Sequence, residues 1–142
     1  MSDERTKGPA DLAASQGPRT RAVLVVDDEP LLLSALRRLL VPRFRVETFD
    51  DAAQALERIR GGARFEAILC DLNMPGMDGV AFHDALAAAL PEQARRIVFM
   101  TGGALGERSQ RVVRSGRHRV LEKPLERGAL LRALDGPPAP EP

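Results

Sequence analysis

Five short apolar runs, alternating with stretches that read as helices, constrain this chain more than any other feature. The runs fall at 22–26, 44–48, 65–70, 97–100 and 120–121, are dominated by Val, Ile, Leu and Phe, and are too short for helices. After them come 31–41, 51–60, 79–90, 107–115 and 126–134, each long enough for two or three helical turns. The order is therefore βαβαβαβαβα. Parallel neighbours need crossover connections, helices supply them, and right-handed crossovers leave few topologies.

The alternation predicts an α/β fold, a flavodoxin-like doubly wound sheet of five parallel strands, (βα)5, with helices on both faces. The chain has 142 residues, 44% hydrophobic and 29% charged, which suits one soluble domain with a real core. Segment 1–20 is polar, broken at Gly8-Pro9 and Gly17-Pro18, and without apolar period, so it reads as a flexible N-terminal arm. Segment 136–142 reads as a Pro-rich tail, a stop or linker stub, which leaves 21–135 as the domain. No stretch approaches the ~20 apolar residues that cross a bilayer, and Met1-Ser2-Asp3-Glu4-Arg5 lacks the layout of a secretory signal. A cytoplasmic location is expected. Cys70 is the single cysteine, so no intramolecular disulfide forms, as in a reducing compartment. A net charge of +1 gives no global reason to bind nucleic acid or membrane.

Carboxylates gather where this topology would put a ligand. The third run ends at Asp71 and passes into the breaker-rich Asn73-Met74-Pro75-Gly76-Met77-Asp78-Gly79. The first run ends at Asp27-Asp28-Glu29-Pro30. Both lie at carboxyl ends of strands, the edge of an open α/β sheet where ligands bind. Three acids there repel one another, and a hard divalent cation such as Mg²⁺ relieves the repulsion. Taken alone, Asp27-Asp28 reads more simply as helix capping, with Pro30 in the first turn. The fourth run ends at Thr101-Gly102-Gly103 and the fifth at Glu122-Lys123-Pro124, adding a hydroxyl and an ammonium to the same edge. Acids with Mg²⁺, a Thr and a Lys suit a phosphoryl group, with Asp71 as the oxygen nucleophile.

Asp27-Asp28, the stretch Asp71-Leu72-Asn73-Met74-Pro75-Gly76-Met77-Asp78-Gly79, Thr101 and Lys123-Pro124 together closely resemble the receiver domain of two-component response regulators, in order and separation as well as residue type. The resemblance covers roughly 21–134. It implies that Asp71 takes phosphate from a sensor histidine kinase or histidine phosphotransfer protein and loses it by autodephosphorylation. It implies Mg²⁺ held by Asp28, Asp71 and the Asn73 backbone carbonyl, with Asp27 acting partly through water, Lys123 on a phosphoryl oxygen and Thr101 turning inward. It also implies a phosphoacceptor switch rather than an enzyme, and a downstream protein that reads it. Thr101-Gly102-Gly103 and Leu121-Glu122-Lys123-Pro124 are similar to receivers attached to hybrid histidine kinases. The chain reads as a stand-alone regulator or as a receiver from such a kinase, with the arm favouring the former. Val120 stands where many receivers carry an aromatic residue, so a signal has to rely on Thr101 and loop movement.

Two rival readings remain. A small Mg²⁺ phosphohydrolase of the haloacid dehalogenase type uses similar groups, but there the nucleophile follows the first strand and an acid pair comes late, the reverse of this order. A degenerate receiver acting as an interaction module would need a defect among Asp27, Asp28, Asp71, Thr101 and Lys123, and none is visible.

Other features carry less. Arg108, Arg111 and Arg114 share one side of a helix, with Val112 and Val113 opposite, and Arg117, His118 and Arg119 follow. A solvated face is the simpler reading, an acidic partner helix the alternative. No aromatics interleave with these arginines, which speaks against nucleic acid. The run 31–41 is apolar over more than one stripe. The resemblance suggests that an exposed remainder, Leu33 with Leu40, docks on a kinase. Cys70 should point away from Asp71 and be a buried structural thiol. His83 and His118 lack ligand-spaced partners, so zinc binding and a phosphohistidine role find no support. No Gly-rich loop ends in Gly-Lys-Ser/Thr, so no P-loop is present.

Overall fold

A computed structural model describes residues 21–140, so the expected arm at 1–20 and the last two residues of the tail lie outside the described residues. Five strands, β1 (Arg21–Val26), β2 (Phe44–Phe49), β3 (Ala67–Asp71), β4 (Ile97–Thr101) and β5 (Arg119–Glu122), form one wholly parallel sheet in the order β2-β1-β3-β4-β5. Five helices alternate with them: α1 (Pro30–Leu40), α2 (Ala52–Arg60), α3 (Gly79–Ala89), α4 (Glu107–Ser115) and α5 (Arg127–Asp135). The fold is the doubly wound, flavodoxin-like sheet that the alternation predicts.

Because a parallel sheet is covered on both faces, its inner strands are apolar throughout rather than alternating. Val23 to Val26 and Ile68 to Cys70 are all fully buried. Successive side chains still leave on opposite faces and feed two cores. One holds Leu24, Val26, Ile68, Cys70 and Phe99 with Leu56 and Ile59 of α2 and Phe82 and Leu86 of α3, and Val112 and Val113 of α4 pack against it. The other holds Val23, Val25, Leu69, Val98 and Met100 with Leu36 and Leu40 of α1 and Leu130 and Leu134 of α5. Asp51, Asp78 and Glu126 cap α2, α3 and α5 by accepting backbone N–H bonds. Gly116 closes α4 in the left-handed region at φ 70°, which favours glycine.

Three expectations are corrected. β3 starts at Ala67, not at 65: the Phe65 N–H donates to Oε1 of buried Gln93 at 2.9 Å, and its carbonyl accepts from Nε2 at 3.1 Å, so a side chain replaces the strand ladder there. Gln93 sits in an unexpected helical turn, Pro91–Ala94, after α3. On α1, Leu40 is fully buried and Leu33 half-buried against the same core, so the exposed remainder is Leu31, 87% exposed, followed by Val41. The Pro-rich tail is docked as far as it is described: the Ala139 N–H donates to the Arg95 carbonyl at 2.7 Å, Arg95 Nε donates back at 2.8 Å, and the Arg119 guanidinium donates to the Ala133 and Pro137 carbonyls.

Candidate functional site

The strand order doubles back at β1, whose neighbours β2 and β3 lead away in opposite directions, so a crevice opens beyond the carboxyl ends of β1 and β3. Asp27-Asp28 follows β1 and Asp71 ends β3, which brings all three carboxylates there. One ligand oxygen from each lies within 4.8 Å of the others. Asp27 is fully buried, Asp71 nearly so, and Asp28 exposed.

The simpler reading of Asp27-Asp28 as a helix cap is corrected. Glu29 occupies the cap position of α1 without a side-chain bond, and Pro30 opens the helix. Asp27 Oδ1 instead accepts from the Glu29 N–H at 2.9 Å, a local turn that leaves Oδ2 to accept from Lys123. Lys123 provides the counter-charge from the end of β5. Its Nζ donates to Asp27 Oδ2 at 2.7 Å and lies 3.3 Å from Asp71 Oδ2 and 3.5 Å from Glu29 Oε1. Glu29 is a member that sequence reasoning missed; its place beside Asp28 was the available signal.

Lys123 is aimed by its backbone. Its N–H donates to the Thr101 carbonyl at 2.7 Å, and the following Lys123–Pro124 bond is cis. The aliphatic stem crosses Gly102, where an added Cβ would stand 3.0 Å from the Lys123 Cβ and Cδ, so the missing side chain gives the stem clearance. Asn73 is fixed on both sides: its N–H donates to Asp71 Oδ1 at 3.2 Å and its Nδ2 to the Ala104 carbonyl at 3.4 Å. The resulting cleft, about 250 Å³, is lined by Asp28, Glu29, Asp71, Asn73, Gly102, Gly103 and Lys123. Thr101 is half-buried at the end of β4 and is not part of that lining.

Burial raises the Asp71 carboxyl above its ordinary range; the Asn73 N–H pulls it back, the Asp27 charge pushes it up, and Lys123 lowers it, with a net rise. For Lys123, burial acts downward but is outweighed by the bond to Asp27 and the charge of Asp71, so the ammonium is held above its ordinary value. Three carboxylates, those of Asp27, Glu29 and Asp71, thus lie within 3.5 Å of one ammonium, and Asp28 stands beside Asp27 and Asp71. An excess of hard oxygen donors around a cleft of this size fits Mg²⁺, which takes oxygen ligands and keeps several waters.

The remaining candidates separate cleanly. Cys70 is fully buried in the core beneath α2 and α3, its Sγ 3.5 Å from the Asp71 carbonyl oxygen, and burial followed by the Asp71 charge holds its thiol well above the ordinary value. Val120 pairs in register with Phe99 and is half-buried against that core. His83 and His118, unremarkable in sequence, meet edge to face with ring centroids 4.8 Å apart, and His118 lies 5.4 Å from the Phe99 ring. Sequence distance hides that contact, because it joins α3 to the loop after α4. Among the described residues no helix is long and apolar enough to cross a membrane.

Known proteins are similar to this chain in sequence and fold. Residues 23–135 match the family model described as the response regulator receiver domain. The sensor histidine kinase RcsC of Salmonella typhi is 34% identical over 120 residues, covering 79% of this chain. The signal transduction histidine-protein kinase BarA of Escherichia coli K12 is 30% identical over 113 residues, again covering 79%. The chain spans 12% of the length of each of these relatives. Among solved structures, a response regulator receiver protein from Pseudomonas putida superposes with a TM-score of 0.71 at 26% identity, covering 82% of this chain and 96% of that one. The receiver domain of a sensor histidine kinase from Pseudomonas aeruginosa PAO1, with a magnesium ion coordinated in its active-site cleft, superposes at 0.65 with 28% identity, covering 81% and 94%. A match over most of the chain, on a sheet whose switch point gathers these acids, makes this protein a member of the response regulator receiver domain family.

Proposed function

We propose that Asp71 is the phosphoacceptor of this receiver, charged by a phosphohistidine on a sensor histidine kinase or histidine phosphotransfer protein. What carries the reading is the meeting of Asp27, Asp28, Asp71 and Lys123 at one switch point, in the family's order along the chain. A carboxylate oxygen of Asp71 attacks phosphorus, the phosphorus–nitrogen bond breaks, and its electron pair returns to the donor imidazole. The developing phosphoryl charge falls beside Lys123, whose ammonium is already 3.3 Å from Asp71 and shifts from carboxylate to phosphoryl oxygen. Asp28, Asp71 and the Asn73 carbonyl would hold Mg²⁺, with Asp27 acting partly through water, and the bound ion would supply positive charge against the transferring group. Gly102 and Gly103 leave room for the phosphoryl group, and Thr101 turns in from the rim to bond it.

In this reading the acyl phosphate is shed by water at the same site, which makes the protein a timed switch rather than a turnover enzyme. The receiver occupies 21–135, with 1–20 as an arm and 136–142 as a tail, and works in the cytoplasm, where ATP charges kinase histidines. With Val120 in place of a ring, the output passes through Thr101 and the loop into α4 to an as yet unidentified protein.

The test is incubation with Mg²⁺ and acetyl phosphate followed by intact mass. A gain of one phosphate in the wild type, absent in Asp71→Asn, is the expected result. No gain under varied donors would overturn the assignment. Rapid multiple turnover of phosphate esters, abolished by Asp71→Asn, would replace the switch by a phosphohydrolase.

A further inference from the structure

A second cavity, a groove of about 490 Å³ between α3 and α4, shares no lining residue with the acidic cleft. Its volume falls in the range of small-molecule pockets, about 300–1,000 Å³. His83 and Ala87 of α3, Arg111 and Val112 of α4, and Arg117 and His118 of the following loop form its walls. Pro140 of the docked tail lines it too. The two imidazoles meet edge to face at its wall, backed by Phe99 of the core. His118 Nδ1 is buried with no hydrogen-bond partner among the described residues.

The charge on the groove is one-sided. Arg108 is neutralised by Asp84 at 2.7 Å and Arg95 by Glu92 at 2.9 Å. Arg111 and Arg117 have no carboxylate partner among the described residues, and both are exposed. An apolar, partly aromatic floor beneath two uncompensated guanidiniums is complementary to an amphiphilic anion. Guanidinium recognises carboxylate and phosphate through paired N–H donors, and its flat face also stacks on rings.

We propose that this groove binds a small organic anion, a ring bearing one carboxylate or phosphate. The ring lies against His83, His118 and Val112, and its anionic group is clamped by Arg111 and Arg117. The site stands on its own walls and does not depend on the role given to Asp71.

The full ¹⁵N-labelled chain, without Mg²⁺, is titrated with 2-naphthoate, 2-naphthyl phosphate and neutral 2-naphthalenemethanol while amide shifts are followed. At least one anionic probe is expected to saturate, with shifts confined to α3, α4 and the loop to His118, and to bind about tenfold or more tightly than the alcohol. The tighter of the two anions identifies the head group. The double variant Arg111→Glu, Arg117→Glu should weaken the anions about tenfold or more and leave the alcohol within about twofold; Arg111→Gln, Arg117→Gln should weaken them less. Both positions are exposed, so an unchanged circular dichroism spectrum certifies the fold. Equal affinity for the alcohol, shifts centred on Asp71, an indifferent double variant, or no saturable binding would each overturn the proposal. So would probe-insensitive self-association through α4, which would assign its arginines to a protein partner.

Discussion

Replacing Gly79 by alanine should destabilise the protein even though local propensity predicts the opposite. Gly79 opens α3 just after the capping Asp78, and its backbone is helical, so alanine suits the dihedral angles. At such a position Gly→Ala ordinarily stabilises by about 0.4–1 kcal/mol, chiefly by restricting the unfolded chain. Here the added Cβ would stand 2.6 Å from the Asp71 carbonyl oxygen and 2.9 Å from the Leu72 Cα. Both are backbone atoms where β3 ends, and the Leu72 N–H is tied to the Met100 carbonyl at 2.9 Å, so neither swings aside. Relief requires the first turn of α3 to retreat, stretching the bond from the Gly79 N–H to the Leu72 carbonyl, already 3.3 Å. Overpacking of this kind costs about 1–3 kcal/mol. Set against the propensity gain, a net loss of about 1–2 kcal/mol follows. Urea unfolding reads it as a lower midpoint with an unchanged slope. Because the clash bears on Asp71 itself, phosphorylation by acetyl phosphate should slow as well. A Gly79→Ala protein as stable as the wild type, or more so, would refute the close approach of α3 to β3.

Gln93→Leu leaves the Phe65 N–H and carbonyl without their partner in a buried position and should cost about 2 kcal/mol by urea unfolding; a loss under about 0.5 kcal/mol would mean water replaces the amide. Millimolar Mg²⁺ should raise the melting temperature, by an amount corresponding to about 2.7 kcal/mol at a hundredfold excess over Kd, and Asp28→Asn should remove most of the rise; an unshifted wild type would dismiss a metal role for the three acids. Burial, then His83 and Arg117, holds the His118 imidazole below its ordinary value against the pull of Asp84. The unfolded chain therefore takes up that proton first as pH falls, so this contribution is intact above roughly pH 6.5 and is lost as pH falls from there to the lower value of the folded imidazole. His118→Gln should flatten the acid limb of melting temperature against pH, and an unchanged limb would show that another group controls it.

The sheet was legible because both faces of a parallel strand are covered, which writes Val23 to Val26 and Ile68 to Cys70 as unbroken apolar runs. Strand ends followed, since Asp27 and Asp71 interrupt those runs with charge. Where a backbone group finds its partner far along the chain, the pattern misleads. Phe65 and Glu66 look like strand, yet Phe65 is bonded by the side chain of Gln93, which no local period reveals. The rotation of α1 was equally hidden, because its stripe of leucines is wider than one face; only the seats of Leu36 and Leu40 in the core turn Leu31 outward.

The acidic site shows how far a motif can go before topology must finish the work. Asp27 and Asp28 are adjacent and chemically identical, so residue type cannot say which is sealed in the protein and which is open to the cleft. Burial separates them: Asp28 is exposed to the cleft, whereas Asp27 is sealed and has Lys123 at 2.7 Å. That contact joins the ends of β1 and β5, which are not neighbours in the sheet, since β3 and β4 lie between them. The long Lys123 side chain spans the gap, its stem passing close over Gly102 just after β4, where an added Cβ would crowd it at 3.0 Å. The first glycine after Thr101, which in sequence reads as a simple strand end, therefore gives clearance to a lysine that reaches from the edge of the sheet to the buried carboxylate at the end of β1.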